Sequence, residues 1–309
     1  MPVWMSICAA YHLWVGFVAA VESEVSFNYT NLNFMLFYKD ACASEERHTG
    51  MSEQRKVALI TGSAKGLGKM AALLLADAGC DVVINYVNSA AEARELCERI
   101  QSKGVRCLAL QGDVSRREDM QRLIESVVQQ LGGIDILINN AGPFVRERKF
   151  FNEYQQEEID YIMNGNLLGV MQLDHMVLPM MRRKQWGRII HFGFGHASEA
   201  RGWPHRAVYA AAKVGLVSFT KTLSVEEAPF GITVNMICPG DVRGGNKEKL
   251  IAEVEHEKDP ESPRGRPGAG EDIARVIAFL CESKSDFITG NIMEISGGLD
   301  PIRANVHME

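Results

Sequence analysis

Tyr209 and Lys213 stand four residues apart in VYAAAKVGL. On a helix that spacing puts both side chains on one face, about 5–6 Å apart at Cβ. A free phenol titrates near about 10, too high to exchange protons usefully at neutral pH. An ammonium beside it favours the phenolate, so the pair reads as a general acid and base in which Lys213 lowers the Tyr209 pKa. The spacing also arises by chance on solvated helices. What distinguishes it here are the three alanines between the two residues, which leave a bare surface for substrate and cofactor to approach.

A second stretch with chemical content is VALITGSAKGLG, Val57 to Gly68. Val57, Leu59 and Ile60 read as a buried strand, Gly62, Gly66 and Gly68 mark a tight turn, and a helix is expected from Lys69 to Ala78. A helix start presents unpaired N–H groups and the positive end of its dipole, so strand, glycine loop and helix in that order make an anion site suited to a pyrophosphate. The competing reading is an ordinary strand-to-helix turn.

The elements that must position these residues follow from alternating periodicities. Asp81 to Tyr86 reads as a strand, and Ser89-Ala-Ala-Glu92 as a capping box opening a helix that carries Leu96 and Ile100 on one face. Val105 to Gln111 is the next strand. Ser115-Arg-Arg-Glu118 reads as a second capping box, before Met120, Leu123, Ile124, Val127, Val128 and Leu131 at helical spacing. Further strands are expected at Ile134–Ile138, Arg188–Phe192, Ile232–Ile237 and Asn291–Ile295, and helices at Glu157–Arg183, Ala207–Glu227 and Glu271–Cys281. The Gly-, Pro- and charge-rich run from Asp241 to Gly270 interrupts the pattern. Seven alternations predict an α/β fold, a single doubly wound parallel sheet of Rossmann-like type with helices on both faces and ligands at the carboxyl ends of the strands.

With Asn139-Asn140-Ala141-Gly142, Asn166 in MNGNLLG, Asp113-Val114, Pro239-Gly240 and the ending ITGNIMEISGG, the chain resembles the short-chain dehydrogenase/reductases from about Lys56 to Leu299. The resemblance leans toward the 3-oxoacyl-acyl-carrier-protein reductases, on VVINY, GRII and YAAAKVGL. It implies an NAD(P)-dependent enzyme that reduces a carbonyl to an alcohol, most closely a 3-oxoacyl thioester. Alternatives are a small ketone, sugar or steroid-like alcohol, and a dinucleotide-binding protein without turnover. By the same resemblance Tyr209 protonates the carbonyl oxygen, Lys213 lowers its pKa and holds the nicotinamide ribose, and Asn166 anchors a relay water or pins a helix bulge. Cofactor contacts are implied for Gly62, Ser63, Lys65, Gly66, Leu67, Gly68, Asn85, Tyr86, Asp113, Val114, Asn140, Ala141, Gly142, Pro239, Gly240 and Val242. Asn85-Tyr86 ends the second strand without a carboxylate, and Lys65 lies in the loop where it could pair with a 2′-phosphate, so NADPH (NADP) is the expected cofactor.

Two departures stand out. The serine that the family places after the fifth strand falls at Phe194 counting forward and at His196 counting back, with Ser198 the nearby hydroxyl. Losing such a donor commonly costs about a hundredfold in rate. Gly244 replaces the threonine often found after Pro-Gly. Arg182-Arg183-Lys184 with Arg188 form a basic group that either complements a helix dipole or receives an acidic acyl-carrier protein. Trp203 is a candidate wall of the substrate pocket, and Trp186 a packing residue.

Composition sets the outer limits. A formal charge of −6 over 309 residues argues against general nucleic-acid affinity. Seven widely spaced cysteines without a C-x-x-C pair point to reduced thiols and a cytoplasmic protein. His48, His175, His256 and His307 lack ligand spacing, so no metal is expected. Residues 1–50 read as an extension outside the fold, with a membrane leader and a cleaved signal as alternatives. They are apolar from Pro2 to Val21, with Lys39 the first basic residue. Residues 51–309 then form one catalytic domain. A homo-oligomer, dimer or tetramer, is implied by the resemblance.

Overall fold

The computed structural model describes residues 55–144, 147–300 and 302. The expectations for residues 1–50 and for a domain start at Met51 lie outside them. The first strand, β1 (Val57–Ile60), is followed by helix α1 (Gly66–Asp77), β2 (Asp81–Tyr86), α2 (Ala90–Gln101), β3 (Cys107–Gln111), α3 (Arg117–Leu131) and β4 (Ile136–Asn139). Then come α4 (Gln156–Met163), a π-helical turn (Asn164–Leu168), α5 (Gly169–Lys184), β5 (Gly187–Phe192), α6 (Ala207–Glu227), β6 (Ile232–Pro239), α7 (Gly270–Cys281) and β7 (Ile292–Ile295).

All neighbouring strands are parallel, in the order β3-β2-β1-β4-β5-β6-β7. The order reverses between β1 and β4, and there the loops after both strands diverge to leave a crevice at the strand ends. Successive side chains of β1 serve opposite layers. Ala58 and Ile60 pack with Met70, Leu96 and Ile277 of α1, α2 and α7. Val57 and Leu59 pack with Leu123, Val127, Val177 and Leu223 of α3, α5 and α6.

A buried polar chain pins α6 to this sheet. Asn139 Nδ2 donates to Asp174 Oδ1 at 2.8 Å, Asp174 Oδ2 lies 2.8 Å from His191 Nε2, and His191 Nδ1 lies 2.7 Å from Thr220 Oγ1. Thr220 follows Lys213 by two helical turns on the same face, so the chain fixes α6 against the ends of β4 and β5.

Several expected local features differ. Ser89 occupies the N-cap position of α2 but makes no side-chain cap bond, and the N-cap of α3 is Arg116, not Ser115. Glu92 turns away to Lys65 at 2.6 Å, and the Ser115 hydroxyl donates to Asp113 Oδ1 at 2.7 Å. Helix α1 begins at Gly66, three residues before the expected start. The single helix expected at Glu157–Arg183 is split by the π turn, where the Asn166 side-chain amide donates to Ile162 O at 3.0 Å and Pro143 O at 2.8 Å. The Ile162 carbonyl, left over by the register shift, is thereby satisfied. The basic group is also not one open patch. Arg188 is buried and bonds the carbonyls of Gly187, Gly231, Glu282 and Ser283, Arg182 pairs with Glu227, and Lys184 pairs with Asp135. Trp186 sits under Lys56 and Arg188, a packing role.

Candidate active site

A cavity of about 1280 Å³ opens at the carboxyl ends of the strands. It brings together Tyr209, Lys213 and Asn166 with Leu67, Asn140 and Gly142. Pro239, Gly240 and Val242 line it from the end of β6. Gly62, Ser63, Lys65, Gly66, Gly68, Asn85, Tyr86, Asp113, Val114 and Ala141 lie outside its lining.

Most of those outer residues are engaged with the chain itself. The Ser63 hydroxyl donates to Ile60 O at 2.7 Å and accepts from Asn85 N–H. The Asn85 side chain accepts from Gly62 N–H at 3.1 Å and donates to Gly112 O at 2.9 Å, so it braces two loops and does not face outward. Gly62 and Gly68 are required by close packing of the chain: a Cβ would lie 3.0 Å from Ala141 Cβ and 2.7 Å from Asn140 Nδ2, respectively. Asn140 Nδ2 donates to Thr61 O at 2.8 Å, which ties the end of β4 to the end of β1. Gly66, in contrast, faces open space bounded by Lys247 at 3.9 Å, and its φ of +64° suits glycine. The N-cap residue of α1, Lys65, makes no side-chain cap and the first turn carries no acid of its own, so the anion partner of this terminus comes from elsewhere: Glu248 Oε1 accepts the Gly66 N–H at 2.7 Å.

The electrostatics of the pair differ from expectation. Lys213 Nζ donates to Phe192 O at 2.8 Å and lies 5.9 Å from the centre of the Tyr209 ring. Burial pushes the phenol up to about 12 and the ammonium down to about 8. Lys213 therefore does not acidify Tyr209 here; desolvation dominates both groups. At neutral pH the phenol stays protonated, the form that a reduction requires.

Around Tyr209 the walls are aromatic. Phe144 meets its ring edge-on at 5.0 Å, and Phe194 packs on Trp203 at 4.9 Å. Of the two positions to which counting assigned the hydroxyl donor, Phe194 is the one that lines the cavity, and Trp203 lines it as anticipated. His196 turns to Glu199 at 2.7 Å, and Ser198 is exposed; neither lines the cavity. His205, not among the candidates drawn from the sequence, does line it. Its Nδ1 is buried without a hydrogen-bond partner and its φ is +62°. A second histidine just ahead of the helix, in GWPHRAVY, was the available signal.

The residues present fit a dinucleotide. Asn166 Oδ1, in the cavity lining, is buried and lacks a partner, so it can accept a hydrogen bond from a bound group; Gly142 beside it is required by close packing, since a Cβ there would lie 2.3 Å from Asn166 Oδ1.

Comparison with known proteins agrees with this architecture. A sequence profile of the family described as Enoyl-(Acyl carrier protein) reductase matches residues 62–300. YtkK of Bacillus subtilis (strain 168), provisionally named an oxidoreductase, is 46% identical over 80% of this chain and 98% of its own. The 3-oxoacyl-[acyl-carrier-protein] reductase FabG of Staphylococcus epidermidis is 35% identical over 79% of this chain and 98% of its own. Among solved structures, a provisionally named 3-oxoacyl-reductase from Bacillus thuringiensis superposes with a TM-score of 0.75 at 44% identity, covering 80% of this chain and 99% of that one. Acetoin dehydrogenase YohF from Salmonella typhimurium superposes with a TM-score of 0.72 at 30% identity, covering 80% and 98%. With its parallel seven-stranded sheet, its glycine loop and its Tyr209–Lys213 pair over one cavity, the chain belongs to the short-chain dehydrogenase/reductase family of NAD(P)-dependent oxidoreductases.

Proposed function

We propose that the protein is an NADPH-dependent carbonyl reductase acting on 3-oxoacyl thioesters. The observation that carries this reading is the convergence of Tyr209, Lys213 and Asn166 on the same cavity as Leu67 of the glycine loop. A bound nicotinamide dinucleotide supplies the hydride. Gly66 and Leu67 at the start of α1, Asn140, Gly142, Lys213, Pro239, Gly240 and Val242 would hold it, with Lys65, Tyr86, Asp113 and Val114 toward its outer end. The protonated Tyr209 hydroxyl delivers a proton to the substrate oxygen as negative charge develops there, and the Lys213 ammonium adds fixed positive charge beside it. With Phe194 in place of a hydroxyl, His205 Nδ1, buried in the cavity lining without a partner, is available to steady that oxygen as an N–H donor.

NADPH over NADH is supported by the lack of a carboxylate at the end of β2 and by Lys65, whose exposed side chain makes a surface pair to Glu92. The 3-oxoacyl thioester is supported by the likeness to FabG, and an acyl-carrier protein is the implied donor of such a substrate. Leu168, Met171 and Val225, on the π turn, α5 and α6, are exposed apolar side chains consistent with a dimer or tetramer built on these helices. Among the described residues no helix is long and apolar enough to cross a membrane, and the free thiols support a cytoplasmic site.

The aromatic walls and the likeness to an acetoin dehydrogenase favour a second reading, a small ketone as substrate. NADPH oxidation with acetoacetyl thioester and with acetoin separates them. Turnover of the thioester supports the first reading, turnover of acetoin alone the second, and turnover of no carbonyl refutes both.

A further inference from the structure

The anion position at the start of α1 already has a tenant. Glu248, 182 residues further along the chain, accepts the Gly66 N–H on Oε1 at 2.7 Å and the Lys69 ammonium on Oε2 at 2.6 Å. These are a helix-terminal donor and a cation, the two kinds of partner that a phosphate seeks. Helix α1 brings no acid of its own to this turn, so the carboxylate is supplied from a distant segment.

That segment is a strap. Gly244–Glu248 and Ile251–Glu253 form single 3₁₀ turns. Beyond Glu248 the strap is moored to α7: Glu271 accepts Ile251 N–H at 2.6 Å, and its own N–H donates to Lys249 O at 3.3 Å. Lys247 passes so close to Gly270 that a Cβ there would lie 2.0 Å from Lys247 O. The same strap contributes Lys247 to the lining of the main cavity, and the neighbouring Val242 and Arg243 line it as well. Beside the glycine loop, Glu248 borders a smaller cleft of about 250 Å³ with Lys65, Lys69, Arg99, Glu92 and Glu95.

We infer that Glu248 is an intramolecular competitor for the cofactor's phosphate, a residue that sets dinucleotide affinity by having to leave Gly66 and Lys69 before the cofactor seats. The inference rests on the dinucleotide reading above. The carboxylate is well suited to the task. Burial pulls its pKa upward, but the Lys69 ammonium and the Gly66 N–H outweigh that and hold it below the usual carboxylate range, so it is charged at neutral pH.

The test is the dissociation constant of NADP⁺ and of NAD⁺, by titration calorimetry, for the full-length wild type, Glu248→Gln, Glu248→Ala and Glu95→Gln. Glu95 borders the same cleft and removes the same charge without touching Gly66. Both Glu248 variants should bind about tenfold more tightly, and Glu95→Gln should stay within about twofold of wild type. Tightening for NADP⁺ alone identifies the displaced phosphate as the 2′-phosphate; tightening for both identifies the pyrophosphate. Unchanged or weaker binding in the Glu248 variants overturns the inference, as does equal tightening in Glu95→Gln. If wild type and variants all bind neither nucleotide, the dinucleotide reading itself fails; wild-type binding without a Glu248 effect refutes the competitor alone.

Discussion

Replacing Gly142 by alanine should dismantle the site from beneath. The added Cβ would lie 2.3 Å from Asn166 Oδ1, well inside contact distance, and 3.6 Å from Lys213 Nζ. Asn166 cannot swing aside freely, because its amide is bonded to Pro143 O and Ile162 O and holds the π turn in register. Overpacking costs about 1–3 kcal/mol, and the loss of two amide bonds about 1 kcal/mol each. A total of about 3–5 kcal/mol corresponds to a fall in melting temperature of about 10–15 °C for a domain of this size. Displacing Asn166 and Lys213 by up to about 1 Å should lower kcat/KM about a hundredfold. The control is Gly202→Ala, where a Cβ meets nothing within 4 Å; its stability should change by less than about 0.5 kcal/mol. Urea unfolding and steady-state reduction of acetoacetyl thioester measure both effects. If Gly142→Ala behaves like Gly202→Ala, the packing described around Asn166 is wrong.

Two further outcomes follow from the same geometry. Lys213 has its pKa pushed down to about 8 by burial, from 10.5 when free, so between these values the unfolded chain binds more protons and stability rises with pH. Cofactor-free protein should therefore gain about 2 kcal/mol between about pH 7.5 and 9.5 relative to Lys213→Met, read from paired urea titrations; a flat difference would refute the buried ammonium. Phe194→Ser should cost about 3–5 kcal/mol of stability by removing a ring packed on Trp203, yet raise kcat on acetoacetyl thioester about tenfold or more by supplying a hydroxyl donor. An unchanged kcat would mean that the substrate oxygen is already held, with His205 the group to examine.

Local pattern was enough to place α6 at Ala207–Glu227 and β2 at Asp81–Tyr86, because hydrophobic period and strand propensity agree there with burial. The alternation of elements was also enough for the sheet and for the crevice above it. What escaped were choices made by partners remote in sequence. Ser89 and Glu92 have the spacing of a capping box, but Lys65 offers Glu92 a charged partner instead. Arg188 reads as a surface charge at the head of a strand, yet four carbonyls surround it. Asn166 was legible as a residue that pins a helix bulge, and the helix does change register there, through a π turn held by its amide. The acidity expected of Tyr209 failed for a different reason: helical spacing sets Cβ positions, whereas the Lys213 ammonium was claimed by Phe192 O and the phenol by its dry surroundings.

The central claim is that the Tyr209 hydroxyl is the proton source for reduction in this cavity. Single-turnover reduction of acetoacetyl thioester by NADPH-loaded Tyr209→Phe tests it most directly. The ring and its contacts with Phe144 and Trp203 are retained in that variant, so NADP⁺ affinity should stay within about twofold while the reduction rate falls by about 10²–10⁴. Reduction at the wild-type rate, with the cofactor bound equally well, would contradict it.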